Sequence, residues 1–339
     1  MTIDRRVLAG SLVATLVAAC SRRTPQAKSP AQPSPAANRI RIATDWRAEA
    51  EHGGYYQALA TGEYARRGLQ VEIIQGGPGV NVPQLLAAGA AEFGVGSDAF
   101  IVMNLAAEKV PVKAVMAAFQ KDPQVLMAHP DAGIRSLADM RGHPILLADA
   151  SVGGFWVWLK AKYGFTDAQV RKYTFNSAPF LAYKRAVQQG YVTSEPYTIE
   201  KESGLKPKVF LLADEGYPGY AAMVLASDAA IAARPDTVRA FVAATAAGWA
   251  SYLDGDPAPA NALIRKDNPE MTQDILDQAR AKLKSYGILQ SGDAVAGGIG
   301  AMTDARWKTF FDMAAGHGIY PKTLDPKTAY SLAFLPKAP

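Results

Sequence analysis

Beyond residue 38, short runs of alternating apolar and polar residues are separated by longer segments in which apolar residues recur every three or four positions. The run RIRIATD at 39–45 alternates arginine with isoleucine, which is typical of a strand with one buried face. Strands are predicted at 39–45, 70–74, 92–95, 112–119, 125–128 and 144–148, and helices at 54–67, 82–88, 99–108, 154–163 and from 136 onward. This alternation predicts an α/β protein whose sheets are mostly parallel.

The same alternation continues through the middle of the chain and then gives way to helices. The alternation of strands and helices continues at 172–175, 180–189, 191–193 and 208–212 and ends with a strand at 220–226. Helices are then predicted at 235–253, 257–266, 272–286 and 304–317. We interpret this order as two α/β lobes, one formed by 39–124 plus 221–339 and the other by 125–220, with the helical C-terminal part packed on the first. Two chain crossings then make a hinge, and closure of a hinge around a ligand is a standard two-state movement.

The first 38 residues differ from the rest. Arg5 and Arg6 precede an apolar stretch at 7–19, which is too short to span a bilayer of about 30 Å and matches a signal peptide at 1–19. The sequence VAAC at 17–20 resembles the bacterial lipoprotein box, which predicts a lipid on Cys20 and a flexible tether at 20–38. An ordinary signal peptide with an incidental cysteine is the alternative, and the arginine pair also permits twin-arginine export. The protein is therefore expected outside the cytoplasm, in the periplasm, held at the membrane by its lipid.

Composition narrows the function. The chain has 339 residues, 49% of them hydrophobic, and a net charge of +5 to which the N-terminal segment contributes, so the body is only mildly basic and nucleic-acid binding is not expected. Cys20 is the only cysteine and the four histidines are scattered, which predicts neither a disulfide nor a metal site. The chain contains no GxSxG motif and no pair of carboxylates typical of a glycosidase. We expect a binding protein without a cofactor, not an enzyme.

Candidate binding residues follow several of the predicted strands, where ligands of open α/β sheets bind. The segments are TDW at 44–46 with EHGGYY at 51–56, QGGPG at 75–79, GVGSD at 94–98, ASVGGFW at 150–156 and GYVTSEPY at 190–197. The predicted ligand-binding residues are Trp46, His52, Tyr55, Gly77, Gly79, Ser97, Asp98, Ser151, Gly153, Trp156, Glu195 and Tyr197.

Each of these candidates also has a structural interpretation. The tryptophans and tyrosines could pack in the core, the glycines could form a simple turn, and Ser97 or Asp98 could cap a helix. Trp156 and Trp158 are expected to divide between core and cleft, in an order that the sequence leaves open. Aromatic rings with a few polar groups fit recognition of a small molecule better than catalysis.

Taken as a set, these segments resemble the periplasmic solute-binding proteins of ABC importers in the thiamine-pyrimidine-precursor, alkanesulfonate and nitrate group. GEY at 62–64, GLQV at 68–71 and AGAAEFGV at 88–95 belong to the same resemblance, which covers 39–335. It implies a two-lobed periplasmic-binding-protein fold of type II. It also implies that a ligand is clamped between the lobes and delivered to a membrane permease driven by a cytoplasmic ATPase.

In the branch that binds thiamine pyrimidine precursors, aromatic rings sandwich an aminopyrimidine and an acidic residue pairs with its amino group. The resemblance assigns stacking to Trp46 and Tyr197, the amino-group contact to Glu195 and a polar contact to His52. The chain departs from that branch at 47–51, where RAEAE replaces a stretch similar to PNTN. Riboflavin and a sulfonate, taurine or nitrate-type anion are alternative ligands, although no arginine stands out as an anion clamp.

Two further functions stay open at this point. Some fungal relatives of this fold make a pyrimidine from pyridoxal phosphate and histidine, but they carry a cysteine cluster that this chain lacks. No lysine lies between Lys28 and Lys109 to form the required Schiff base near His52. The protein could also feed a signalling system rather than a transporter.

Overall fold

The structure is a computed structural model that describes residues 39–336. The predicted signal peptide, Cys20 and the tether lie outside the described residues. Among residues 39–336, no helix is long and apolar enough to cross a membrane.

Two five-stranded mixed sheets form the framework. The first has the order β2-β1-β3-β10-β4, and the second has the order β7-β6-β8-β5-β9. The strands of the first sheet are β1 (Arg39–Ala43), β2 (Gln70–Ile74), β3 (Phe93–Asp98), β4 (Val112–Phe119) and β10 (Ala221–Ser227). Those of the second are β5 (Gln124–Ala128), β6 (Ile145–Leu147), β7 (Val170–Lys172), β8 (Val187–Tyr191) and β9 (Lys208–Leu211).

Each sheet combines parallel and antiparallel pairs of strands. β1 is parallel to β2 and β3, whereas β10 is antiparallel to β3 and β4. β6 is parallel to β7 and β8, whereas β5 is antiparallel to β8 and β9. The chain therefore passes between the sheets twice, at 120–123 and at 212–220.

Here lobe 1 denotes the elements around the first sheet and lobe 2 those around the second; the exact lobe boundaries drawn from the sequence stay a prediction. The helices of lobe 1 are α1 (Gly53–Ala60), α2 (Glu63–Arg66), α3 (Val82–Ala87), α4 (Ala99–Ala107), α9 (Asp228–Ala233), α10 (Pro235–Asp254), α11 (Ala258–Asp267), α12 (Gln273–Ser285), α13 (Ala294–Gly297) and α14 (Asp304–Gly316). The helices of lobe 2 are α5 (Asp149–Val152), α6 (Phe155–Tyr163), α7 (Ala178–Ala182) and α8 (Glu195–Ser203).

Stacked aromatic rings join the helices of lobe 1 to its sheet. On one face, Phe241 of α10 stacks on Phe93 of β3 at 4.1 Å and on Tyr64 of α2 at 5.2 Å. On the other face, Trp307 of α14 stacks at 5.0 Å on Tyr330, which forms a β-bridge with Ala114 of β4. Such pairs add about 0.5–1.5 kcal/mol beyond the area that they bury. Both faces of the first sheet are thus covered, so the ends of its strands are the part that faces lobe 2.

Helix α1 packs unusually close to α10, and this fixes where the site begins. A Cβ atom on Gly54 would lie 2.2 Å from the ring of Trp249, and one on Gly248 would lie 2.3 Å from the carbonyl oxygen of Gly54. Glycine at both positions lets the two helices approach. The preceding residue, His52, is thereby held at the N-terminal end of α1, beside the end of β1.

Two predicted segments are wrong in detail. The helix expected at 54–67 is divided into α1 and α2, because Gly62 adopts a left-handed φ of 76° between them. The segment 180–189, interpreted as continuing the pattern without a break, contains the end of α7 and the start of strand β8. β8 is central in its sheet and carries two buried glutamines: the side-chain amide of Gln188 donates to the hydroxyl of Ser177, and that of Gln189 accepts from the backbone amide of Ala148. These polar side chains hide the apolar signature of a central strand.

Candidate ligand-binding cleft

The carboxyl ends of β1 and β3 carry a linked set of polar side chains. Asp45 follows β1, and one of its carboxylate oxygens lies 3.0 Å from Nε2 of His52. Its second oxygen accepts a hydrogen bond from the hydroxyl of Ser97 in β3. Both neighbours hold the carboxylate in a fixed orientation, with about a fifth of the Asp45 side chain still exposed.

This set differs from a hydrolytic triad in its order. In a triad the imidazole lies between the serine and the carboxylate, so that it can take the hydroxyl proton. Here the carboxylate of Asp45 lies between Ser97 and His52. The arrangement orients an acceptor and does not activate a nucleophile.

The turn after β2 supports the end of β1. The amide of Gly76 donates to the hydroxyl of Thr44 and to the carbonyl of Trp46, each at 3.1 Å. A Cβ atom on Gly76 would lie 2.2 Å from the carbonyl oxygen of Thr44, so this glycine is required by close packing. Gly77 and Gly79 face open space, and Gly79 has a left-handed φ of 94°. The predicted glycine loop is present beside the cleft, but its essential glycine is Gly76.

An aromatic pair bridges the two lobes. The ring of Trp46, in lobe 1, lies 4.5 Å from that of Phe175, which follows β7 in lobe 2. Tyr173 lies 5.2 Å from Phe175 on the lobe 2 side. Phe175 is 46% exposed and adopts a left-handed φ of 60°, which is unfavourable for a non-glycine residue. Strained backbone at an exposed aromatic residue is typical of a functional position.

A carboxylate of lobe 2 is fixed beside this pair. Glu195, at the first turn of α8, accepts a hydrogen bond of 2.8 Å from the amide of Tyr191 and one of 3.3 Å from the hydroxyl of Tyr173. A Cβ atom on Gly190 would lie 2.9 Å from the Glu195 carboxylate, so glycine there makes room for it. Burial raises the pKa of Glu195, with a further contribution from Glu51.

Glu51 connects the lobes directly. It lies in a 3-10 turn at Ala50–His52, and its buried carboxylate accepts a hydrogen bond from the hydroxyl of Thr193 in lobe 2. Burial raises the pKa of Glu51, while the Thr193 hydrogen bond opposes this shift. Burial also raises the pKa of Glu49, well above its usual range, and the charges of Glu51 and Asp45 add to the effect.

Asp98 serves both as a helix cap and as a wall of the cleft. One oxygen accepts a hydrogen bond of 3.1 Å from the amide of Ile101 at the start of α4. The other faces lobe 2, where a Cβ atom on Gly154 would lie 2.8 Å from it. Burial raises the pKa of Asp98 to about 6. The interpretation of Asp98 as a helix cap is confirmed, and its role in binding a ligand stays a prediction.

Three aromatic residues that were predicted to bind the ligand do not face Trp46. Tyr55 is fully buried, with its ring 6.0 Å from that of Trp249. Trp156 is fully buried in lobe 2, where its indole N–H donates to Asp167 at 2.8 Å, and Trp158 is buried as well, so neither faces the cleft. The hydroxyl of Tyr197 donates to Asp274 of α12 at 2.7 Å, on the outer surface where the lobes meet. The structure places Phe175, rather than Tyr197, opposite Trp46.

The remaining predicted residues in lobe 2 form the turn before α6. Ser151 is buried in α5, and its backbone carbonyl accepts a hydrogen bond from the amide of Gly154. Gly153 is exposed, and a Cβ atom there would meet no other atom within 4 Å. This turn contributes to the cleft through Gly154, which lies opposite Asp98.

Several cleft residues were not predicted from the sequence. They are Asp45 as a binding residue in its own right, Glu49, Glu51, Asp122, Tyr173, Phe175, Tyr191 and Thr193. Tyr173 and Phe175 follow β7 directly, so the rule that ligands bind beyond strand ends could have found them. Glu49 and Glu51 gave no such signal, because two acidic residues in a short loop usually lie in solvent.

The model of the family described as "NMT1/THI5 like" matches residues 49–260. The chain belongs to this family. The riboflavin-binding protein RibY of Chloroflexus aurantiacus is 27% identical, over an alignment that covers 96% of each chain. The predicted family resemblance is thereby confirmed.

Solved structures show the fold. The aliphatic sulphonate binding protein SsuA of Escherichia coli is similar with a TM-score of 0.61 at 13% identity, covering 87% of this chain and 92% of that one. The desulfurization enzyme DSZB is similar with a TM-score of 0.56 at 11% identity, covering 87% and 97%. The two-lobed fold of periplasmic binding proteins is confirmed, and it is a fold that includes both binding proteins and an enzyme.

Proposed function

We propose that the protein is a solute receptor that clamps a planar nitrogen heterocycle between Trp46 and Phe175. The observation that carries this proposal is the contact between these two rings across the lobes, at 4.5 Å, beside the fixed carboxylates of Asp45 and Glu195. Opening of the lobes would separate the rings, and a flat ligand entering between them would stack on both. Delivery of the ligand to a permease with a cytoplasmic ATPase is part of the same proposal.

The carboxylates favour a ligand with N–H donors. Ionised carboxylates only accept hydrogen bonds. The second carboxylate oxygen of Glu195 accepts a hydrogen bond of 3.3 Å from the Tyr173 hydroxyl. This hydrogen bond is long, and a ligand amino group could replace it. An aminopyrimidine combines a flat ring with such an amino group. A thiamine pyrimidine precursor is therefore the first candidate ligand.

Riboflavin is the second candidate. A relative named as a riboflavin-binding protein matches almost the full length of this chain at 27% identity. The isoalloxazine ring offers a larger flat surface for Trp46 and Phe175, and the ribityl hydroxyls could donate to the carboxylates.

Anionic ligands and catalysis are less well supported. A sulfonate or nitrate would lie beside the carboxylates of Asp45, Asp98 and Glu195, where like charges repel. The order Ser97, Asp45, His52 does not activate a nucleophile. These points favour binding without chemistry.

A ligand screen by thermal shift tests the function. We expect an aminopyrimidine such as 4-amino-5-hydroxymethyl-2-methylpyrimidine, or riboflavin, to stabilise the protein by about 2.7 kcal/mol at a hundred times its dissociation constant. Taurine and 3-(N-morpholino)propanesulfonic acid serve as anionic comparisons. Stabilisation by the sulfonates alone would show that the ligand class is wrong.

The sequence also supports a lipid anchor on Cys20, which would hold the receptor beside its permease. We expect Cys20→Ser to move the protein from the membrane fraction to the soluble fraction of the periplasm. The lipid is transferred to the cysteine thiol, and serine has no thiol to accept it. Immunoblotting of fractionated cells measures this, and ligand affinity of the released protein should equal that of the wild type. A C20S protein that stays with the membrane would contradict the anchor.

A further inference from the structure

We propose that the ligand of this cleft is an organic cation, whose positive charge is neutralised by carboxylates from both lobes. The inference rests on the proposed function and specifies the charge of the solute. It comes from the balance of charges around the Trp46–Phe175 pair and not from the aromatic pair itself.

Six carboxylates surround the cleft and the crossing beside it. They are Asp45, Glu49, Glu51, Asp98, Asp122 and Glu195. Their charges act on one another across the lobes. The charge of Glu51 in lobe 1 raises the pKa of Glu195 in lobe 2, and the charge of Asp98 raises the pKa of Asp122 at the crossing. Tyr191, in β8 of lobe 2, pairs with Gln124 of β5, two residues after Asp122, and its backbone amide donates to Glu195 at 2.8 Å.

The protein supplies little positive charge to this group. His52 contacts Asp45 and lies near Glu51. In the described part of the chain, the ion pairs of lysine and arginine involve other carboxylates, such as those of Arg47 with Glu270 and Lys201 with Asp274. Apart from the contact of His52 with Asp45, the hydrogen bonds that the six receive come from Ser97, Thr193, Tyr173 and backbone amides. The neutralising charge is therefore expected from the ligand.

Unpartnered acceptors give a second, independent reason. Asp122 is fully buried, and its Oδ1 accepts from the amide of Gln124 at 2.9 Å, while its Oδ2 has no hydrogen-bond partner. The side-chain carbonyl of Gln124, also buried, is unpartnered too, as is the hydroxyl of Tyr217, whose surroundings include Asp98 and Asp122. When Asp122 is ionised, its Oδ2 and the side-chain carbonyl of Gln124 are buried acceptors without a donor, and the Tyr217 hydroxyl can donate or accept. An ammonium or amidinium group brings several donors at once.

The aromatic pair suits a cation as well. A cation over an indole face is attracted by the ring quadrupole, and the attraction grows when both groups leave water. Without a ligand, the buried carboxylates are stabilised by holding protons, since burial raises the pKa of Glu49, Asp98 and Asp122. A bound cation would replace those protons. Binding is then expected to release protons to the buffer.

Two pyrimidines that differ in one group test the charge. 4-Amino-5-aminomethyl-2-methylpyrimidine carries an ammonium at pH 7, and its 5-hydroxymethyl analogue does not. Titration calorimetry is expected to show at least about tenfold tighter binding of the aminomethyl compound, a difference of about 1.4 kcal/mol. Repeating the titration in phosphate and in Tris should show proton release for the aminomethyl compound, because the two buffers differ in ionisation enthalpy.

The outcomes separate this inference from the function on which it rests. If the hydroxymethyl compound or riboflavin binds as tightly as the ammonium compound or more tightly, the ligand is not selected for charge, although the receptor function stands. If none of the three binds, both proposals fail.

Variants locate the charge selection. We expect Glu195→Gln and Asp98→Asn to reduce the preference for the ammonium compound several-fold while the hydroxymethyl compound is affected less. Asp236→Asn is the matched control, since Asp236 lies at the surface end of α10 with its side chain 97% exposed. An unchanged preference in both cleft variants would overturn the inference.

Discussion

Replacing Trp46 with alanine should weaken ligand binding by about ten- to a hundredfold, with little change in melting temperature. Stacking of a flat base on an aromatic side chain contributes about 1–3 kcal/mol per ring, and the change removes one of the two rings of the clamp. Trp46 is half-buried at the cleft, and its one aromatic neighbour in the structure is Phe175 of the other lobe, so the cores of both lobes are left intact. Titration calorimetry with the ligand that stabilises the wild type measures the effect.

Two further variants make this result specific. Phe175→Ala should weaken binding to a similar degree, because it removes the opposite ring. Tyr183→Ala is the control. Tyr183 is an aromatic residue of lobe 2 that is about as exposed as Phe175, at 50% against 46%. It lies in a groove with His143 and Pro144 outside the cleft. Wild-type affinity in W46A would show that the ligand is not held between these rings.

The fold could be predicted from the sequence wherever the apolar pattern reports burial. β1 and β4 show the pattern plainly, since their buried positions are occupied by isoleucine, valine, alanine, methionine and phenylalanine. β8 does not, because its centre is Gln188 and Gln189, whose burial depends on hydrogen bonds to Ser177 and to the amide of Ala148. Partners so distant in sequence give no local signal.

The candidate site could be predicted in part for a related reason. Ser97 and Asp98 could be chosen as candidates because they lie at the carboxyl end of β3, a position that the strand order fixes. Tyr55 and Trp156 lie one or two residues inside helices that begin near the cleft, and at that place a side chain faces either the cleft or the core according to the angle of the helix. That angle is set by close packing such as that of Gly54 on Trp249, which the sequence does not reveal.

The acidic character of the cleft could be recognised only from the structure. Glu49, Asp122 and Glu195 lie in three separate segments of the chain, and each is followed or preceded by residues that suit an exposed loop. In the folded protein Asp122 is fully buried and Glu49 and Glu195 are half-buried, and burial raises the pKa of all three. The net charge of +5, computed over the whole chain, gives no indication of it.

This burial gives the unliganded protein an unusual dependence on pH. The pKa of Asp98 is about 6 in the folded protein, above the ordinary value of 3.8, because burial disfavours the charged form. The folded state therefore holds more protons than the unfolded state between these values, and stability falls as the pH rises through that range. For Asp98 alone, the free energy of unfolding at pH 7 is expected to be about 3 kcal/mol lower than it would be with the carboxyl protonated.

Asp98→Asn should remove this contribution. Asparagine caps a helix about as well as aspartate, so the hydrogen bond to the amide of Ile101 at the start of α4 can be kept. We expect D98N to be more stable than the wild type at pH 7, and the difference to shrink as the pH falls towards 4. Urea unfolding at pH 5, 6 and 7 measures it, with D236N as the surface control.

Other buried carboxylates, among them Glu195, act in the same direction in both proteins, so the difference between D98N and the wild type isolates Asp98. A difference that stays constant from pH 5 to pH 7 would contradict the raised pKa. If the ligand is a cation, its binding should stabilise the wild type more than D98N at pH 7. The ionised form of Asp98 lowers the stability of the empty protein, and the same charge would then stabilise the occupied one.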